Sequence, residues 1–209
     1  MAERRATPSF LPDLVPDADL RKILEAGLMA PSAYNLQPWR FVVVRSPEQR
    51  VRLREAAMRQ PKVGEAPVVI VACGDPHGWR NDLDEQLRVA QEHGWGSEQK
   101  YASMRKNISR FFESPGSAGG TSPDFAVWVN RQTMIAFTTM LWMAEVMGYD
   151  TAPMEGFYED KVKAELGIPE HVRVVALLAI GRRQGDDKRF AGRLPMTRTV
   201  FAERWESPM

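Results

Sequence analysis

The chain has 209 residues, of which 44% are hydrophobic and 26% are charged. This is the balance of a soluble globular protein, and one domain of this size buries roughly 70% of its unfolded surface. We therefore expect a single domain over residues 1–209. The 28 Lys and Arg side chains nearly cancel the 27 Asp and Glu, so there is no broad basic field of the kind that attracts nucleic acid.

Cysteine usage and the first residues indicate where the protein works. Cys73 is the only cysteine and lies in an apolar run, so no internal disulfide can form and a buried thiol is expected. Residues 1–5 lack the apolar core of a secretory signal, and no stretch reaches the roughly 18 apolar residues that span a bilayer. These features favour a cytoplasmic protein with no membrane partner.

The first half of the chain predicts two helices and two buried strands. Apolar residues recur at helical spacing from residue 17 to about residue 29, where Pro31 ends the pattern. The β-branched run 41–44 predicts a strand, and a helix over about 47–58 should follow it. Residues 68–73 form a second apolar run, whose length and β-branching favour a central strand.

The second half predicts a helical flap, a long apolar helix and a last strand. Residues 78–110 are mostly polar and helical in pattern, whereas 113–123 have the Pro, Gly and Ser content of a mobile loop. We treat 78–123 as a variable lid region within the domain. A largely enclosed helix is expected over about 124–147 and a buried strand over 172–180. This irregular alternation favours an α+β sandwich over regular βαβ winding.

Familiar motifs for hydrolysis, nucleotide binding and metal binding are missing. His77, His93 and His171 lie far apart in sequence, and none has a second His or Cys at ligand spacing. We therefore expect surface histidines and no metal. The sequence has no nucleophile elbow, phosphate-binding P-loop or dinucleotide fingerprint. Any redox chemistry must then come from a bound cofactor.

Residues 30–41 are the most informative segment, because Ser, Asn, Gln and Trp are concentrated in one short connection between a helix and a strand. The residue types alone are typical of a plain connector. The segment nevertheless resembles the part of the nitroreductase family that passes under the flavin from the neighbouring subunit. The resemblance implies that five of its residues bind flavin mononucleotide (FMN): Pro31, Ser32, Ala33, Asn35 and Gln37.

Two further segments match the family in the expected order. The apolar helix resembles the central helix of the family's dimer interface, which implies that Gln132 faces the flavin and the substrate. The Pro-Met-Glu-Gly run resembles the loop at the reactive edge of the ring, in which the backbone N–H of Glu155 would point at the flavin N5. By residue type alone that run is a plain turn. Its implied FMN-binding residues are Pro153, Met154, Glu155 and Gly156.

The N-terminal segment resembles the family's Arg-Arg-Ser-x-Arg-x-Phe opening, in which basic side chains grip the phosphate and the ring. Arg4, Arg5 and Ala6 occupy the matching positions, and Pro8 stands where the second basic residue is expected. Ala6 lacks the usual hydroxyl, and Pro8 lacks the usual charge. The positive charge near the flavin N1 and O2 must therefore come from elsewhere or be weaker.

Two other basic residues are candidates for the cofactor site. Lys62 precedes the second strand at a place where family members carry residues that bind the ring. Arg193 follows the last strand, as the family's phosphate-binding arginine does, and a guanidinium can engage two phosphate oxygens in one plane. Lys188 and Arg189 are interpreted as solvated charges on the tail.

The resemblance implies a homodimeric α/β/α sandwich with a mixed, mainly antiparallel sheet and FMN sites shared between two chains. It also implies an oxidoreductase that moves electrons from NADH or NADPH through FMN to a small electron-poor acceptor such as a nitroaromatic or quinone. The flavin supplies the chemistry, so no catalytic side chain is required. The choice of nicotinamide and the natural acceptor stay open.

Several alternatives also stay open. The same scaffold supports reductive dehalogenation, azoline oxidation and flavin cleavage in relatives, and the changes at Ala6 and Pro8 keep open a flavin-binding dimer with little turnover. A purely structural α+β protein would leave Asn35, Gln37 and Gln132 unexplained. Aromatic residues of the flap could stack on an acceptor or simply pack together: Trp79, Trp95, Tyr101, Phe111 and Phe112.

Overall fold

The computed structural model describes residues 4–113, 124–207 and 209. The helices are α1 (Asp17–Leu28), α2 (Pro47–Ala56), α3 (Pro61–Glu65), α4 (Gly78–Asn81), α5 (Leu83–Glu92), α6 (Glu98–Glu113), α7 (Asp124–Val146), α8 (Glu159–Leu166) and α9 (Met196–Thr199). The strands are β1 (Trp39–Val44), β2 (Val68–Gly74), β3 (Asp150–Met154) and β4 (Arg173–Gly181). Helices surround one sheet.

The four strands form a sheet in the order β1-β2-β4-β3, and all three pairings are antiparallel. β2 and β4 lie at the centre and are apolar along almost their whole length, as expected of strands covered on both faces. The register places Gly74 of β2 opposite both Trp39 of β1 and Arg173 of β4. These three positions mark one end of the sheet.

Each face of the sheet buries its own cluster of apolar side chains. On one face, β2 and β4 pack against α2, α3 and α8 through residues such as Leu53 and Val162. On the other face they pack against α1 and α7 through Ile23, Phe137 and Met140, among others. Helices therefore cover both faces, which confirms the predicted α+β sandwich.

The flap formed by α4, α5 and α6 is attached to α7 by a separate aromatic cluster. Trp79, Phe112 and Trp128 are buried there, with the rings of Trp79 and Phe112 stacked 4.5 Å apart. Tyr101 is also buried, whereas Trp95 stays 47% exposed. Most of the aromatic residues predicted for the flap therefore pack its interior.

The sequence pattern located the long elements and missed a strand. The predicted helices over 17–29 and 124–147 and the predicted strands correspond to α1, α7, β1, β2 and β4. The segment treated as a loop begins instead inside β3, since Pro153 and Met154 are strand residues. Proline hides this strand from a pattern search, yet the edge position of β3 tolerates a residue that cannot donate a ladder hydrogen bond. The predicted mobile loop lies mainly in 114–123, outside the described residues.

The structure also bears on the thiol and on membrane association. Cys73 is buried in β2, and burial is the main cause that raises the pKa of its thiol to about 12. A thiol in that state is a poor nucleophile at neutral pH.

Within the described ranges, every helix is too short or too polar to cross a bilayer.

The contact between α1 and α7 requires a glycine. A Cβ added at Gly27 would lie 2.4 Å from Cγ of Met140 and 3.3 Å from the carbonyl oxygen of Ala136. We predict that Gly27→Ala lowers the free energy of unfolding by about 1–3 kcal/mol through overpacking, even though alanine is the better helix former. Chemical denaturation followed by circular dichroism measures this change.

Gly64→Ala is the matched control, since Gly64 is also helical and its added Cβ would meet only the flexible side chain of Arg54 at 3.4 Å. This substitution should leave the stability unchanged or raise it by up to about 1 kcal/mol. Equal effects of the two substitutions would contradict the proposed packing of α1 on α7.

Candidate functional site

The two ends of the chain meet around one aromatic ring. The guanidinium carbon of Arg5 lies 4.7 Å from the centroid of the Phe190 ring, and that of Arg193 lies 5.2 Å from the same centroid. The N-terminal segment is held there because the N–H of Thr7 donates to the carbonyl of Thr151 in β3 at 3.0 Å. Two arginines nearly 190 residues apart in sequence thus share one surface.

Lys62 extends this basic surface from helix α3. Ser9 ties the N-terminal segment to α3 by donating a hydrogen bond to Glu65 at 2.7 Å. Burial, followed by the positive charge of nearby Lys188, lowers the pKa of Lys62. No acidic side chain of the described chain forms an ion pair with Lys62 or Arg193. The region defined by Arg5, Lys62, Lys188 and Arg193, called the basic region below, is therefore suited to an anion.

The other N-terminal positions lie beside this region. Arg4 lines a surface cleft together with Glu145 and Asp150. Burial raises the pKa of Glu145, and the charge of Arg4 opposes that rise. Ala6 is half-buried and Pro8 is exposed, so neither provides the hydroxyl or charge that the family pattern places there.

The loop after β3 adjoins the basic region. The side-chain amide of Gln60, two residues before Lys62, donates to the carbonyl of Gly156 at 2.7 Å. The N–H of Tyr158 donates to the carbonyl of Ala56 at 2.9 Å, which fixes the same loop against the end of α2. Glu155 is exposed at the tip of the loop. The structure therefore brings Lys62 and the 155–156 segment into one neighbourhood.

A second group of predicted residues is assembled around the 31–37 segment. The side-chain oxygen of Gln132 in α7 accepts a hydrogen bond from the N–H of Ala33 at 2.8 Å. Within the segment, the N–H of Gln37 donates to the hydroxyl of Ser32 at 3.0 Å. Gln86 of the flap donates to the carbonyl of Leu36 at 2.6 Å. Three parts of the chain thus hold this connection in one conformation.

Unfavourable backbone conformations concentrate in two loops, the 31–37 segment and the turn between α2 and α3. Of the seven non-glycine residues with positive φ in the described ranges, five lie here: Tyr34, Asn35, Gln37, Met58 and Arg59. Such conformations cost of order 1–3 kcal/mol each and persist where the surroundings enforce them, commonly at binding sites. The strain supports a functional role for both loops.

The two groups lie at opposite edges of the sheet. The 31–37 segment leads into β1, whereas the 155–156 loop follows β3, and β2 and β4 separate these edge strands. Edge strands β1 and β3 are three strand spacings apart, which amounts to about 14 Å. Within one chain, the two groups are therefore separated by the width of the sheet.

Sequence reasoning missed one cluster altogether. The rings of His77 and His171 stack with centroids 4.5 Å apart, and Asp75 lies beside them. They meet because Gly74 and Arg173 are register partners at the end of the sheet. The only signal in the sequence is that each histidine lies next to a predicted strand, and spacing along the chain does not reveal that these two strands pair.

The donor set of the basic region fits FMN. The guanidinium groups of Arg5 and Arg193 can each bind two phosphate oxygens in one plane. The ammonium group of Lys62 can supply a positive charge to the electron-rich edge of the ring. Backbone groups at Glu155 and Gly156 are within the same neighbourhood. The residues present are thus chemically compatible with the cofactor that the sequence resemblance implies.

Comparison with known proteins gives a consistent result. A model of the nitroreductase family matches residues 1–182. The NADH dehydrogenase of Thermus thermophilus is 37% identical over 199 residues, covering 95% of this chain and 92% of its own. MhqN of Bacillus subtilis (strain 168), named as an NAD(P)H nitroreductase, is 30% identical and matches 91% of this chain and 90% of its own.

A solved structure supports the fold. A protein of Exiguobacterium sibiricum 255-15, described as a nitroreductase in complex with FMN, has a TM-score of 0.83 at 24% identity, covering 93% of this chain and 91% of its own. The family match spans most of the chain and agrees with the resemblance found in its motifs. The chain therefore belongs to the nitroreductase family, whose members are oxidoreductases that use FMN.

Proposed function

We propose that the protein passes electrons from NADH or NADPH, through FMN, to a small electron-poor acceptor such as a nitroaromatic or a quinone. The observation that carries this proposal is the placement of Arg5 and Arg193 around Phe190, together with that of Lys62 near Lys188 and the 155–156 loop. The names of the Thermus and Bacillus relatives support a nicotinamide as the electron donor. The single buried Cys73 is compatible with action in the reducing cytoplasm.

Three residues of the basic region, Arg5, Lys62 and Arg193, have roles in this proposal. Arg193 and Arg5 would bind the phosphate, and Lys62 would bind the N1 and O2 edge of the ring. The backbone N–H of Glu155 would donate to N5. Bound FMN supplies the two-electron chemistry, so the protein needs only to hold and orient it.

Lys62 compensates for Pro8. The family pattern places a basic residue at position 8, and here that position is an exposed proline. Lys62 is partly removed from water, and a charge acts more strongly on a neighbouring charge in such an environment. We therefore assign to Lys62 the stabilisation of negative charge at the ring.

A second copy of the chain completes the site. Because the 31–37 segment and Gln132 lie at the opposite edge of the sheet from the basic region, two chains must associate for both groups to contact one ring. Large apolar side chains are exposed on and near α7 and on the C-terminal tail, as expected of a surface that a homodimer buries. They are Met29, Ile135, Val146, Phe190, Leu194, Met196 and Trp205.

The flap covers the approach to the site in this proposal. Gln86 of α5 holds the 31–37 segment through the carbonyl of Leu36, and Tyr34 forms an edge contact with Phe111 of α6 at 5.7 Å. These contacts position the 78–113 part of the lid region beside the cofactor-binding connection. Its variable residues would set which acceptors reach the flavin.

The direct test of the activity is the colour of the freshly purified protein. We predict a yellow protein that loses its colour when NADH or NADPH is added under argon and regains it when a quinone follows. Absorbance spectroscopy records each step. A colourless protein would contradict flavin binding, and a yellow protein that neither nicotinamide bleaches would favour the flavin-binding dimer with little turnover.

The phosphate-binding role of Arg193 is tested by substitution. Arg193→Ala removes one charge-assisted contact of about 1.5–3 kcal/mol, so the dissociation constant for FMN should rise about 10- to 100-fold. Fluorescence titration of the apoprotein with FMN measures this constant. Arg189→Ala is the matched control from the same tail and should bind FMN as the wild type does. Equal weakening by both substitutions would indicate a general charge effect instead.

The shared site predicts that dimerisation and FMN binding fail together. Ile135 is 39% exposed on α7 and Val51 is 48% exposed on α2. Burying an unpaired arginine at an interface is strongly unfavourable, so Ile135→Arg should give a monomer that has lost FMN. Val51→Arg should remain a flavin-loaded dimer. Light scattering with in-line absorbance reports both properties, and a flavin-saturated monomer would refute the shared site.

A further inference from the structure

One end of the sheet, outside the basic region, brings together three groups that ligate transition metals. The ligand atoms of Asp75, His77 and His171 all lie within 4.8 Å of one another. Nε2 of His171 is 3.8 Å from Oδ1 of Asp75. The two imidazole rings are nearly parallel, with an angle of 15° between their planes. Two imidazoles and one carboxylate are a common ligand set for zinc and related ions.

The backbone fixes where these groups lie. The N–H of Asp75 donates to the carbonyl of Pro38 at 2.8 Å, directly after β2. The N–H of His77 donates to Oδ1 of Asp75 at 2.8 Å, which forms a tight turn. His171 lies two residues before Arg173, the register partner of Gly74. The strand pairing of the fold therefore brings the backbone positions of the three residues together.

The carboxylate is also oriented by a second layer of contacts. Only 14% of the Asp75 side chain is exposed. Its second oxygen, Oδ2, lies 3.8 Å from Nη2 of Arg40, and Arg40 is itself paired with Asp82. Outer contacts of this kind hold a ligating carboxylate in place and are typical of protein metal sites. They leave Oδ1 on the side of the two histidines.

Two of the three neighbouring arginines are paired with carboxylates. Arg40 is neutralised by Asp82, and Arg173 pairs with Glu159 at 3.3 Å. The guanidinium of Arg80 stacks over the ring of its neighbour Trp79 at 4.9 Å. The repulsion that a cation would meet at the cluster is thereby reduced.

We propose that Asp75, His77 and His171 form a binding site for a divalent transition metal of the zinc type. Zinc bonds of about 2.0–2.2 Å require ligand atoms about 3–3.5 Å apart. The two histidines are exposed, so small rotations of their side chains close the remaining gap. Both line an open cavity of about 640 Å³, which leaves the remaining coordination position to water.

A bound ion would join the flap to the sheet. Asp75 and His171 belong to the ends of β2 and β4, whereas His77 immediately precedes α4, the first helix of the flap. The metal would thus fasten the start of the lid region at a point remote from the basic region. We expect it to stabilise the fold and not to take part in electron transfer.

Isothermal titration of the FMN-loaded, metal-stripped and untagged protein with zinc chloride tests the site. The wild type should bind one zinc ion per chain, and His77→Ala and His171→Ala should each weaken binding at least about 10-fold. His93→Ala is the matched control, because His93 is an exposed histidine at the end of α5, outside the cluster. This variant should bind zinc as the wild type does.

Asp75→Asn gives a second, isosteric test. The asparagine oxygen can still accept the hydrogen bond from the N–H of His77, so the turn is kept while the charge is lost, and zinc binding should weaken. Circular dichroism and FMN content should match the wild type in every variant, and zinc should raise the melting temperature of the wild type but not of His171→Ala. A wild type that takes up no zinc, or histidine variants that bind it unchanged, would overturn the proposal.

Discussion

The antiparallel pairing of β2 with β4 is the constraint on which the rest of the structure depends. Both strands are apolar on both faces, so helices must cover the sheet above and below. α1 and α7 cover one face, and α2, α3 and α8 cover the other. With both faces covered, the sheet itself reaches solvent only at its two edges and at the ends of its strands, and the candidate sites adjoin these places.

This arrangement explains why one chain holds only parts of the proposed flavin site. The 31–37 segment must enter the edge strand β1, and the 155–156 loop must leave the opposite edge strand β3. The width of the four-stranded sheet separates the two loops within one chain. Association of two chains is the simple way for both groups to meet one ring, and the exposed apolar side chains of α7 and the tail provide a surface for it.

Local pattern was enough to predict the elements that are long or strongly apolar. α7 and β2 are examples, because their hydrophobic periods and lengths leave few alternatives. β3 escaped because it is short and contains Pro153. The motif resemblance supplied the candidate cofactor residues. The contacts of Arg5 and Arg193 with Phe190, and of His77 with His171, join distant segments. Such contacts depend on strand register and tertiary packing, which the residue pattern of a single sequence does not reveal.

The central claim is that residues of two chains form each flavin site, and mixed dimers test it most directly. One subunit carries Arg5→Ala and Arg193→Ala, and the other carries Ser32→Ala and Asn35→Ala. In a hybrid dimer with shared sites, one site combines both defects and the other has none. At limiting FMN, purified hybrids should therefore hold more flavin than either parent dimer. A flavin content equal to the average of the two parents would mean that each site is built within one chain.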